Sequence, residues 1–204
     1  MVKITHCMQD LDLIFLIDKS GSMYGSEEDT MGGFNAFIQK ERAKDFNTKV
    51  TTILFDNEYD VLYKRKPICD VGDLTRNEYQ VRGSTALLDA IGRTVVSLEG
   101  EIDNKVLFVI ITDGMENSSR EFSKSQIRKM IDSHKWEFIF LGADIDSYSE
   151  ASNIGIRKSR TANYVKSREG FKRAFDSIEN VTYCMRNDVD LDNANWKRDL
   201  EEYD

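Results

Sequence analysis

Two runs in this chain are apolar at every position: Leu13-Ile14-Phe15-Leu16-Ile17 and Val106-Leu107-Phe108-Val109-Ile110-Ile111. A strand with one wet face alternates apolar and polar residues. An unbroken run instead suits a strand covered on both faces, as at the centre of a parallel sheet with helices above and below. Short apolar runs alternate with amphipathic stretches along the rest of the chain, which is the pattern of an α/β domain.

Periodicity and turn chemistry predict strands at about 11–17, 49–55, 60–67, 106–111, 136–141 and 161–165, and helices at about 27–44, 86–98, 123–134, 146–153 and 167–185. Met31, Phe34, Phe37 and Ile38 form the apolar stripe of the first helix, and Glu27, Glu28 and Asp29 suit its positive N-terminus. Gly32 and Gly33 either permit close packing there or divide the helix from its opening turn. Asp56-Asn57 is too short a link for a parallel crossover, so the second and third strands form an antiparallel hairpin. Lys64-Arg65-Lys66-Pro67 marks the third as an edge strand. The next parallel strand must then join on the other side of strand one. The expected fold is α/β: a doubly wound, mostly parallel six-stranded sheet of order 3-2-1-4-5-6, with strand 3 the antiparallel edge and helices on both faces. Residues 1–186 are read as one domain. Residues 187–204 read as an acidic, solvated tail, because Val189, Leu191, Trp196 and Leu200 are nearly its only apolar residues. Asp188, Asp190 and Asp192 have the alternate spacing of an EF-hand loop, but Asn193 and Asp199 stand where that loop needs Gly and Glu.

The formal net charge of −8 argues against general binding to nucleic acid or anionic membranes, which need clustered Lys and Arg. Cys7, Cys69 and Cys184 are odd in number and lack Cys-x-x-Cys spacing, so neither a disulfide framework nor a zinc site is expected. With no signal-peptide pattern at the start and no apolar run of membrane-spanning length, the expected location is cytoplasmic.

The candidate site begins where the first apolar run ends. Asp18, Ser20 and Ser22 alternate in Asp18-Lys19-Ser20-Gly21-Ser22. Such hard oxygen donors suit Mg²⁺, Mn²⁺ or Ca²⁺ better than zinc or copper, although Asp and Ser could also simply cap the next helix. Ligands of open parallel sheets bind outside the carboxyl ends of the strands where strand order reverses, here between strands one and four. Asp113 leaves strand four, and Thr85 lies in the loop that leads to the intervening helix. Taken singly, Thr85 could be an N-cap and Asp113-Gly114 a turn. Together, three separated segments bring side-chain oxygens to one place.

Asp18-x-Ser20-x-Ser22, Thr85 and Thr112-Asp113-Gly114 resemble the metal-ion-dependent adhesion site (MIDAS) of the von Willebrand factor type A (vWA) domain. Phe34-Asn35-Ala36-Phe37, Phe55-Asp56 and the stretch from Gly83 to Gly92 resemble its stand-alone prokaryotic and phage members, with Ser84 where many carry a second Gly. The resemblance implies a Rossmann-like fold, direct ligation of Mg²⁺ (or Mn²⁺ or Ca²⁺) by Ser20, Ser22 and Thr85, and action of Asp18 and Asp113 mostly through waters. It implies a protein partner whose Asp or Glu fills an open coordination position, with Asp113 able to compete for that position. Met23, Tyr24, Glu116 and Asn117 are rim candidates.

Enzymatic alternatives find less in the residues. An aspartate-nucleophile phosphohydrolase of the haloacid dehalogenase type would want a second Asp where Ser20 stands. Neither a phosphate-cradling P-loop nor a dinucleotide-binding Gly-x-Gly-x-x-Gly is present. His6 precedes strand one, His134 falls at a helix end, and no nucleophile–base pair suggests itself. A non-catalytic, metal-dependent binding module is therefore expected, with a Mg²⁺-dependent phosphohydrolase or an accessory subunit of an ATPase-linked or phage assembly as the alternatives.

Overall fold

The computed structural model describes residues 10–44 and 46–201; His6 and Cys7 lie outside them. In chain order the elements are β1 (Leu11–Asp18), α1 (Glu27–Arg42), β2 (Thr48–Phe55), β3 (Tyr59–Pro67), α2 (Leu87–Leu98), β4 (Lys105–Thr112), α3 (Lys124–Ser133), β5 (Glu137–Gly142), α4 (Ser147–Asn153), β6 (Thr161–Asn163), α5 (Arg168–Arg186) and α6 (Arg198–Glu201). Six strands form one sheet of order β3-β2-β1-β4-β5-β6, parallel except for the β2–β3 pair. This is the expected topology, with β3 on the edge.

Side chains alternate across the sheet, so β1 feeds two cores. Leu13, Phe15 and Ile17 pack with Phe34 and Phe37 of α1 and Phe171 and Phe175 of α5. Ile14 and Leu16 pack with Leu87 and Ile91 of α2, Ile127 of α3 and Ala151 of α4. Helices thus cover both faces, and every residue of β1 is buried. Phe15 meets Phe34 and Phe37 edge-on, with ring centroids 5.4 and 5.3 Å apart. The α1 helix runs unbroken through Gly32-Gly33. A Cβ on Gly33 would lie 2.4 Å from the Phe175 ring, whereas one on Gly32 would meet nothing within 4 Å. Gly33 is therefore a packing glycine that lets α1 and α5 approach.

Two expectations are corrected. β6 stops at Asn163 rather than continuing to 165, and the chain there turns toward the end of β1. The stretch after α5 is not simply solvated: Leu191, Trp196 and Leu200 are buried in the α1–α5 core. Trp196 Nε1 donates to Ser159 O at 3.1 Å. The EF-hand-like acids face separate partners. Asp188 pairs with Lys105, Asp192 with Arg160, and Asp190 accepts from Asp192 N and Asn193.

Candidate metal centre

Asp18 ends β1 directly beside Phe55 of β2, and its side chain is buried. Both its carboxylate oxygens are engaged from within the chain. Ser20 N donates to Oδ1 at 2.6 Å, and Thr112 Oγ1, at the end of β4, donates to Oδ2 at 2.5 Å. Asp18 thus ties together the two central strand ends. Burial pushes its carboxyl up to about 6, against the opposing pull of the Thr112 and Ser20 hydrogen bonds, and the charge of Asp113 adds to the rise. Tyr79 OH donates to Asp18 O at 2.5 Å.

Backbone contacts bring the other segments in. Gly21 N donates to Gly83 O at 3.0 Å and Arg82 N to Lys19 O at 2.8 Å. Lys19 is itself buried, with its ammonium 2.8 Å from Asp60 and 3.4 Å from Asp56. Thr85 does not cap α2; the residue at the cap is Ala86. Asn117 holds Thr85 from both sides of its backbone, accepting from Thr85 N at 2.9 Å and donating its own N–H to Thr85 O at 3.0 Å. The Thr85 hydroxyl is thereby aimed at Ser20 Oγ, 3.0 Å away, and Ser20 Oγ lies 3.1 Å from Ser22 Oγ.

Three hydroxyls therefore converge, and Gly114 marks the spot. A Cβ built there would lie 2.4 Å from Thr85 Oγ1, 3.1 Å from Ser22 Oγ and 3.3 Å from Ser20 Oγ. Asp113 is buried beside them. Its Oδ1 is buried without a hydrogen-bond partner, while Oδ2 lies 2.7 Å from Lys166 Nζ. Lys166 also donates to Ser22 O. All five residues read from the sequence, Asp18, Ser20, Ser22, Thr85 and Asp113, thus meet at the carboxyl ends of β1 and β4. Ser20, Ser22, Thr85 and Asp113 line an open cleft of about 560 Å³. A larger groove of about 640 Å³, between α1 and α5, contains none of the five.

The donor set suits a small hard cation. Neighbouring oxygens around octahedral Mg²⁺ are about 3.0 Å apart, given Mg–O distances of about 2.1 Å. The two hydroxyl separations match that edge, and Asp113 Oδ1 is an orphaned anionic oxygen beside them. Among the described residues no group of three or more His, Cys, Asp or Glu is placed to hold a metal ion; the donors here are chiefly hydroxyls.

No family model matches the chain, and no curated protein does. Solved structures do. A von Willebrand factor type A protein from Catenulispora acidiphila is similar over 82% of this chain, with 13% identity and a TM-score of 0.58. The fold is that of a vWA domain. Proximal thread matrix protein 1 from the mussel byssus, with a zinc-occupied MIDAS motif, is similar over 88% of the chain at 16% identity and a TM-score of 0.64. The PilB minor pilin of Streptococcus sanguinis is similar over 92% at 12% identity and a TM-score of 0.66. The matches take in 41%, 46% and 64% of those proteins, so this chain spans only part of their length.

Of the rim candidates, Asn117 lines the cleft and Tyr24 is exposed, whereas Met23 and Glu116 differ from the sequence reading. Met23 is buried and Tyr24 is 80% exposed. Glu116 faces inward and accepts from the backbone N–H groups of Leu88, Ser118 and Ser119. Asn117 is a support for Thr85. Met115, on the cleft wall, is exposed. Sequence reasoning missed Tyr79 and Lys166, which reach the site from outside its motif. No local pattern distinguishes either from an ordinary surface-loop residue.

Proposed function

We propose that this chain is a metal-ion-dependent protein-binding module of the vWA type. The observation that carries the reading is the convergence of three hydroxyls on one point of an open cleft whose lining also includes Asp113, a carboxylate with one unpartnered oxygen. Ser20, Ser22 and Thr85 would hold Mg²⁺ (with Mn²⁺ or Ca²⁺ as alternatives), while Asp18 orients the loop and Asp113 supplies charge. Held by neutral hydroxyls, such an ion keeps an unquenched charge and an open coordination position, which an Asp or Glu of a partner protein would fill. Tyr24, Met115 and Val165 are exposed beside the cleft or on its flanking loops and offer apolar contact around that anchor. The segments flanking the motif favour kinship with stand-alone prokaryotic or phage members.

Catalysis is the weaker reading. The Asp18 carboxylate is buried and occupied at both oxygens, so it is poorly placed to attack phosphorus. Among the described residues no helix is long and apolar enough to cross a membrane. The test is Mn²⁺ binding, read from the paramagnetic resonance of the free ion. Ser20→Ala should bind at least about tenfold more weakly than the parent, and equal binding would overturn the assignment. Mg²⁺-dependent capture of a partner should be abolished by EDTA and by Ser20→Ala. Robust phosphatase turnover lost in Asp18→Ala would instead favour an enzyme.

A further inference from the structure

We propose that Lys166 sets the size of the cation this site accepts, an inference that rests on the metal-binding reading above. Lys166 lies between β6 and α5. The next residue, Ser167, fixes the turn by accepting from Gly170 N at 3.1 Å. From there the ammonium reaches into the site, contacting Asp113 Oδ2 at 2.7 Å and the carbonyl of Ser22. It touches both the carboxylate and the loop that carries two of the three hydroxyls.

The carboxylate oxygens left for a cation are few. Both oxygens of Asp18 accept hydrogen bonds from Ser20 N and Thr112. One oxygen of Asp113 is held by Lys166, and only Oδ1 has no partner. Ca²⁺ takes six to eight oxygens at about 2.3–2.6 Å and commonly uses bidentate carboxylates, whereas Mg²⁺ takes six at about 2.0–2.1 Å and keeps waters. With Lys166 in place, the ammonium competes for Oδ2 of Asp113, which disfavours a bidentate grip on a cation. The positive charge of Lys166 also offsets one of the two aspartates. Lys166 therefore acts through Asp113. It draws on the second oxygen and offsets the charge that Ca²⁺ needs, favouring Mg²⁺ or Mn²⁺.

The test is competition on the whole chain. Mn²⁺ is loaded, Ca²⁺ is titrated in, and released Mn²⁺ is read by paramagnetic resonance for the parent, Lys166→Met, Lys166→Gln, Lys166→Arg and Ser20→Ala. In Lys166→Met and Lys166→Gln the Ca²⁺ needed to displace half the Mn²⁺ should fall about tenfold, the scale on which ligand charge tunes such sites. Lys166→Arg should keep the parental ratio. Circular dichroism checks folding, and the Gln variant carries the test if the Met variant does not fold. An unchanged ratio in the Met and Gln variants, with Mn²⁺ still lost in Ser20→Ala, would overturn the role of Lys166 and leave the metal site standing. Failure of the parent itself to bind Mn²⁺ would overturn both.

Discussion

Asp18 is a buried acid whose surroundings disfavour its charge. Its carboxyl is raised from an ordinary 3.8 to about 6, so the fold prefers it protonated. The stability this lends is fully present below about pH 4 and is lost as the pH rises through about 6, a change on the order of 3 kcal/mol. In EDTA, the urea midpoint of the parent should fall across that window relative to Asp18→Asn; parallel profiles would show that the charged form is already compensated. Asp18 was legible in the sequence because an acid directly after an apolar strand, with hydroxyls at alternate positions, is a local pattern. Lys166 was not, because its partner Asp113 is distant in sequence and only the early end of β6 turns it inward.

At the level of elements, the two adjacent glycines of α1 make opposite predictions. Gly32 faces open space, so Gly32→Ala should stabilise the helix by about 0.5–1 kcal/mol. At Gly33 a Cβ would press into the Phe175 ring, so Gly33→Ala should destabilise by about 1–3 kcal/mol through overpacking. Urea denaturation of both variants checks the contrast, and equal effects would mean that α5 shifts freely. The sequence marked the pair as notable but could not separate them, because helical periodicity does not say which helix lies opposite. Element order and sheet topology were far more readable. The unbroken apolar runs within β1 and β4 fixed the centre, and the Asp56-Asn57 turn placed the antiparallel edge.

The whole molecule includes more of its C-terminal stretch than composition suggested. Leu191, Trp196 and Leu200 lie too irregularly along the chain to give a helical or strand period, yet the α1–α5 core takes in all three. Trp196→Ala should cost about 3–5 kcal/mol, measurable as a lowered denaturation midpoint; a change under about 0.5 kcal/mol, typical of surface positions, would mean that the stretch is peripheral. At the other end of the sheet, the loop after β4 is pinned along its length. Glu116 takes the N–H groups of Leu88, Ser118 and Ser119, and Asp89 takes those of Arg120, Glu121 and Phe122. The segment beyond Met115 is thus ordered during folding. A partner of the kind proposed above, docking on this face, would meet a preorganised surface, so little conformational entropy would be lost there. The heat-capacity change of association should therefore reflect the apolar area covered, without the larger signature of coupled folding.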